Sequence, residues 1–193
     1  YMAQSESRAQ TRTLSVRDDE QDWFTLGSQT DMALADLDVI LMRVDPPFDM
    51  DYIYTTYLLE NAQRAGSLIV NDPQSLRDCN EKLFATQFPQ CCPPLVVGSS
   101  MEKLKAFHNQ HRDVIYKPLD GMGGRSIFRV KPDDPNLSVI IETLTGGGVK
   151  HIMAQKFIPE ITNGDKRLLL IDGKPVGHAL ARVPASGETR GNL

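Results

Sequence analysis

The chain has 193 residues, a net charge of −4, 40% hydrophobic residues and 24% charged residues. This is the makeup of an ordinary globular protein, long enough for one large domain or two small ones, and it excludes a disordered tail or a fibre. It also argues against nucleic acid as a partner, although a local cluster of cations can still hold a small anion.

No apolar run approaches the roughly 20 residues that span a bilayer, and the opening Tyr1-Met2-Ala3-Gln4-Ser5-Glu6 is too polar for a secretory leader. A cytoplasmic protein with no membrane partner is expected. Cys79, Cys91 and Cys92 are odd in number, and the adjacent pair is badly placed to bridge to itself. Three structural thiols are expected, with one redox-sensitive or ligating thiol as the alternative.

Arg8 to Val16 reads as an amphiphilic strand. Within Asp36 to Arg43 the apolar run Val39-Ile40-Leu41-Met42 reads as a buried strand of a parallel sheet. Arg43 stands where that strand ends, an edge at which ligands often bind, and is a candidate anion contact. Asp51 to Arg64 is predicted helical with Gly66 as its stop, and Ser67 to Asn71 is a second buried strand. Strand, helix, strand implies a right-handed crossover, so the first portion is α/β.

Cys79 to Phe88 is predicted to be a helix carrying Lys82. Pro89, Pro93 and Pro94 follow, then a strand at Leu95 to Val97. Ser99-Ser100-Met101-Glu102 matches a capping box, opening a helix with Leu104 and Phe107 on one face and His108 and His111 near its end. From about residue 79 the pattern changes to antiparallel hairpins with interspersed helices. A boundary near Pro73 to Asp78 therefore divides the chain into domains 1–78 and 79–193.

The richest stretch is Val114 to Phe128. An apolar strand ends in Lys117, breaks at Pro118, passes Gly121-Met122-Gly123-Gly124, and resumes at Ser126 to Val130 as the partner of an antiparallel hairpin. Glycines let a backbone approach a ligand closely, and a lysine at the strand end is a compact cation suited to phosphate oxygens. There is no Walker or dinucleotide fingerprint, and the residues alone leave a merely mobile turn as open as a phosphate-covering loop. Lys82, Lys117, Arg167 and Arg190 are cations that can converge on one polyanion or remain solvated charges.

Asn136 to Thr143 is predicted helical, Gly146 to Gly148 a link, and His151 to Ile158 a strand. Its end, Gln155-Lys156-Phe157-Ile158, offers backbone groups to a purine edge or is an ordinary buried strand. Asp165 can accept from ribose hydroxyls or make a loop salt bridge. Asp172-Gly173 predicts a tight hairpin between Arg167 to Ile171 and Lys174 to Val183. In Gly187-Glu188-Thr189-Arg190-Gly191-Asn192, Arg190 can hold a carboxylate or phosphate bidentately. The four histidines lack metal spacing, and none is assigned a catalytic role.

In this order, the strings Gln10 to Leu14, Leu34 to Arg43, Asp45 to Asp49, Asn71 to Asp78, Asn80 to Phe84, Lys117 to Gly124, Gly164 to Arg167 and Gly187 to Asn192 resemble the bacterial glutathione synthetases of the ATP-grasp superfamily. The resemblance covers nearly the whole chain. It implies a truncated N-terminal parallel α/β domain followed by an ATP-grasp domain with antiparallel sheets, ATP lying between them. Lys82 and Lys117 would hold its phosphates, the Gly121, Met122, Gly123 and Gly124 loop would close over them, and Gln155, Lys156, Phe157 and Ile158 would meet adenine. Asp165 would meet ribose, Arg167 and Arg190 would act at the transferred phosphate and acceptor carboxylate, and Arg43 and Asn192 would contact substrate.

The implied chemistry joins γ-glutamylcysteine to glycine through an acyl phosphate, with ATP and Mg2+ (or Mn2+) as cofactors, in a cytoplasmic homo-oligomer. By the same resemblance the metal ligands follow Leu193 and the first strand and helix of the N-terminal domain are absent, so an internal fragment inactive by itself is expected. Two other readings stand beside it: a nucleotide-binding module without turnover, kept open by the missing metal ligands, and another ATP-grasp peptide ligase, disfavoured by the Arg43 to Asp49 and Glu188 to Asn192 motifs.

Overall fold

The computed structural model describes residues 1–45 and 47–185, and within it the chain divides into two compact units, Tyr1–Asn80 and Glu81–Leu193. No helix among the described residues is long and apolar enough to cross a membrane.

The first unit contains two sheets. β1 (Met2–Ala3), β2 (Glu6–Val16) and β3 (Phe24–Ala33) form an antiparallel sheet in that order, while β4 (Val39–Leu41) and β5 (Leu68–Val70) pair in parallel across helix α1 (Met50–Arg64). The strand–helix–strand order with parallel pairing is the expected one. β3 and its antiparallel pairing are not legible from the sequence, because Gly27-Ser28 interrupts the alternation where the ladder carries an irregularity between Arg12 and Leu14. Asp49 caps α1 by accepting from the Tyr52 amide at 2.9 Å, and Gly66 ends it at φ 120°.

Two expectations fail between Val39 and Phe88. The strands at Val39 to Met42 and Ser67 to Asn71 are not buried on both faces: Val39 is 50% and Leu41 62% exposed, while Ile40 and Ile69 turn inward onto Leu34, Leu59 and Ala62. Only one face of the parallel pair is covered among the described residues. The helix placed at Cys79 to Phe88 instead occupies Pro73–Asp78 (α2), because Asp72 caps it through the Ser75 amide at 2.9 Å and Pro73 pre-sets its first turn. Lys82 therefore lies in a turn, followed by a 3-10 segment at Phe84–Gln87.

The second unit is built on a four-stranded antiparallel sheet. Its order is β6 (Leu95–Gly98), β9 (Ile152–Lys156), β7 (Val114–Pro118), β8 (Phe128–Val130). Helices α3 (Met101–His111) and α4 (Leu137–Thr145) supply Leu104 and Ile141 to a core with Val114, Tyr116, Val130, Ile152 and Ala154, all at most 1% exposed. The cap of α3 is Ser100, which accepts from Lys103 at 3.4 Å, so the reciprocal box expected of Ser99 and Glu102 is not made. His108 is buried in the last turn of α3, 3.3 Å from the Val130 carbonyl.

A separate two-stranded ribbon, β10 (Asp165–Ile171) with β11 (Lys174–Arg182), follows. Asp172 and Gly173 both take positive φ, 50° and 70°, as the two-residue turn requires.

Candidate functional site

Strand periodicity fixes which side chains of the second unit can meet. Val114, Tyr116, Ile152 and Ala154 point to the helices, so Ile115, Lys117, Met153 and Gln155 occupy the opposite face. Lys117 is paired with Met153 and Ile115 with Gln155, which makes Lys117 and Gln155 diagonal neighbours. Their side chains meet at 2.8 Å, the ammonium donating to the amide oxygen.

Lys82 arrives at the same place from the turn before the sheet. Its ammonium donates to the Gly121 carbonyl at 2.6 Å and the Leu119 carbonyl at 3.4 Å, and pairs with Glu81 at 2.6 Å. One lysine thus grips the root of the glycine loop and the other stands on the strand that feeds it. Burial pushes the Lys117 ammonium below the usual lysine range, and the nearby Lys82 charge pushes the same way against smaller opposing effects of Glu81 and Cys92. Two partly desolvated cations held side by side repel one another. A polyanion placed between them would relieve both.

The loop is shaped for close approach. Gly123 and Gly124 take φ of 64° and 74°, and a Cβ at Gly121 would come within 2.8 Å of the Pro118 ring. Met122 is half-buried, and its carbonyl accepts from the Arg125 amide at 3.3 Å.

The segment expected to meet a purine is braced by residues the sequence reading did not single out. The Lys156 amide donates to the Pro94 carbonyl and the Phe157 amide to the Asp113 carbonyl, each at 2.9 Å. The Arg129 guanidinium lies 3.5 Å from the centre of the buried Phe157 ring and makes a two-point ion pair with Asp113, at 2.9 and 2.7 Å. This pairing holds the Asp113 carboxyl below the usual carboxylate range. The signal was the pair of opposite charges flanking the two hairpin strands, readable only once the register Ile115 to Arg129 is known. Ile158, just beyond β9, is exposed.

Other expected residues are not gathered here by any direct contact. Asp165 is engaged by Arg182 across the ribbon, at 2.6 Å to each carboxylate oxygen, which is the salt-bridge alternative for this residue. Arg167 is exposed on β10 opposite Leu180, and makes no ion pair among the described residues. Arg43 is exposed just after β4 in the first unit. Arg190 and Asn192 lie outside the described residues. Among the described residues no three or more His, Cys, Asp or Glu side chains are grouped to hold a metal ion.

Family models for the prokaryotic glutathione synthetase match the chain twice, with the N-terminal domain over residues 1–77 and the ATP-grasp domain over 81–193. The chain belongs to the prokaryotic glutathione synthetase family. A glutathione synthetase of Yersinia pestis is 59% identical over 193 residues, which is 100% of this chain and 60% of that protein. The chain thus spans about 60% of the length of the curated relatives it matches.

Among solved structures, D-cycloserine synthetase DcsG superposes with a TM-score of 0.62 at 14% identity, over 78% of this chain and 54% of that one. The ATP-grasp ligase PsnB, complexed with minimal precursor, Mg and ADP, does so with a TM-score of 0.51 at 20% identity, over 89% and 60%. At such identities these likenesses establish the ATP-grasp fold.

Proposed function

We propose that the protein of which this chain is part ligates γ-glutamylcysteine to glycine, forming glutathione at the expense of ATP. The observation that carries this reading is the convergence of Lys82, Lys117 and the Gly121 to Gly124 loop on one side of the sheet, within a chain 59% identical to a glutathione synthetase along its whole length. In this reading a carboxylate oxygen of the dipeptide attacks the γ-phosphorus and ADP leaves. The glycine nitrogen then attacks the acyl carbon, phosphate leaves, and the amine loses a proton to give the amide.

The residues suit that chemistry. A carboxylate and a triphosphate repel, and the phosphoryl group in transit spreads charge over its oxygens, so fixed cations lower the barrier. Lys82 and Lys117 are those cations, already desolvated and positioned. The glycine loop would cover the phosphates and keep water from the acyl phosphate. Adenine would lie against the end of β9, where the Lys156 and Phe157 amides are already committed and Ile158 remains the candidate donor.

Asp165 serves ribose in this reading only by releasing or sharing Arg182. Arg167, Arg190, Arg43 and Asn192 complete the substrate side. Magnesium or manganese would accompany ATP, but the described residues offer no carboxylate cluster for it, and the charge these residues answer is answered by lysines. The working form is taken to be a cytoplasmic homo-oligomer acting on small molecules.

The test is phosphate release by the full-length protein with ATP, magnesium, γ-glutamylcysteine and glycine. Release that requires both the dipeptide and glycine is expected. Equal release with D-alanine in place of glycine would overturn the reading.

A further inference from the structure

Lys82 is fully occupied before any ligand arrives. An ammonium has three donor hydrogens, and around that of Lys82 stand the Gly121 carbonyl at 2.6 Å, the Glu81 carboxylate at 2.6 Å and the Leu119 carbonyl at 3.4 Å. A phosphate oxygen can reach this ammonium only by taking the place of one of them.

The three acceptors are not equally easy to displace. Two belong to the backbone of the glycine loop, so giving them up means moving the loop and finding each carbonyl another donor. Glu81 needs only to rotate its side chain. That side chain is 56% exposed against 13% for Lys82, so water receives the carboxylate as it leaves, and an ion pair so exposed contributes little to stability. Glu81 is the exchangeable partner.

Glu81 also answers the charge of the empty site. Lys82 pushes against Lys117, whose own acceptor is the neutral amide oxygen of Gln155 at 2.8 Å. The Glu81 charge favours the ammonium form of Lys117 as well, so its field reaches both lysines. A carboxylate here does in part what a bound phosphate would do in full.

We propose that Glu81 is a place-holder, its carboxylate occupying the anion position at Lys82 until a phosphate oxygen of ATP displaces it to water, while the loop carbonyls keep their hold. Glu81 is then a positioning residue that sets nucleotide affinity by competing for one donor. This role rests on the ATP reading of the site, though not on which substrates are joined. Competition has a sign that bracing lacks: removing a brace weakens binding, and removing a competitor strengthens it.

The experiment is calorimetric titration of ATP with magnesium into the full-length protein, without dipeptide or glycine. Glu81→Gln, close in shape and neutral, should lower the dissociation constant about threefold to fivefold, the scale of one exposed ion pair. Asp120→Asn removes an equal charge from between the two residues whose carbonyls Lys82 holds, and should give a smaller gain. Adenosine, which has no phosphate, should bind the unaltered protein and Glu81→Gln alike. In a structure with a non-hydrolysable ATP analogue, Lys82 should meet a phosphate oxygen and Glu81 should face water.

Weaker or unchanged ATP binding by Glu81→Gln would overturn the place-holder, as would an equal gain from Asp120→Asn, a gain that extends to adenosine, or an analogue bound with the Lys82–Glu81 pair intact. ATP that binds neither protein would overturn the phosphate site with it. Tighter binding by Glu81→Gln in a protein that does not join the dipeptide to glycine would support the place-holder and overturn only the ligase reading.

Discussion

The four-stranded sheet and the β10–β11 ribbon lie in the same unit and both carry residues proposed above to meet ATP, yet they are built differently. The sheet has a closed core: Leu104, Val114, Tyr116, Val130 and Ile141 are all fully buried, and the Tyr116 hydroxyl is satisfied by the Leu104 carbonyl at 3.1 Å. With one face committed to helices, its other face can hold Lys117 and Gln155 in a fixed relation. The ribbon holds Asp165 and Arg167 on strands whose leucines are exposed. A side chain is only as well placed as the layer beneath it, so the lysines are pre-set while the ribbon residues await a covering layer.

The largest effect that sharpens this contrast is on stability. Ile141→Ala removes a fully buried side chain from the sheet's core and should cost about 2–5 kcal/mol. Leu169→Ala, on the exposed ribbon, should stay within about 0.5 kcal/mol in the 193-residue chain. Denaturant unfolding of both variants checks the pair. Equal losses would show that the ribbon is as enclosed as the sheet.

Next in size is the loss of the phosphate contact proposed for Lys117. Lys117→Ala should leave the fold intact, because the side chain lies on the face away from the core, and should weaken ATP binding by about 2 kcal/mol, the scale of a hydrogen bond to a charged group. Calorimetric titration of ATP into the full-length protein measures it. Unchanged affinity removes Lys117 from the phosphate site.

A smaller effect separates the charge of Lys117 from its shape. Its ammonium is held below the usual lysine range by burial and by Lys82. A bound polyanion favours the charged form, so ATP affinity is full below the lowered value and falls as pH rises through it, with proton uptake on binding in that window. The fall should begin below the ordinary lysine range. Lys117→Arg keeps its charge throughout, and its affinity should lose that alkaline fall. A fall that is the same in both proteins assigns it to another group.

How much of this was legible in the sequence depends on whether a signal is local. Gly66 marks the end of α1 by backbone chemistry confined to a few residues, and Asp172-Gly173 marks a turn the same way, whereas the Asp49 cap that starts α1 emerges only from the structure. Local signals also misled where a stronger one stood nearby: Asp72-Pro73 starts a helix early enough that none remains at Cys79 to Phe88. The apolar runs at Val39 and Leu68 read as enclosed strands because a sequence records what a strand can bury, not whether a layer is present to bury it.

At the candidate site, Lys117 and the glycine loop stand out as a contiguous string. Gln155 as the partner of Lys117, and Arg129 as the brace of Phe157, depend on the register of β7 against β8 and β9, a long-range fact that no short window contains.

Arg129 supplies the smallest and most discriminating test of the contrast between fixed and waiting parts. It stacks on Phe157 and pairs with Asp113, whose carbonyl also receives the Phe157 amide, so two contacts meet at the residue just after β9 and the ion pair ties them together. If that strand end meets adenine, Arg129 acts by holding it still. Arg129→Ala removes a cation over an aromatic ring and a two-point ion pair, together worth about 1 kcal/mol at a partly exposed site. The KM for ATP should rise several-fold while kcat stays within about twofold, because in the proposed site the phosphates are still held by Lys82 and Lys117. Arg129→Lys keeps the charge and loses the planar stack and the paired donors, and should fall between the two. An equal drop in kcat with KM unchanged would place Arg129 with the reacting phosphate and not with the adenine edge.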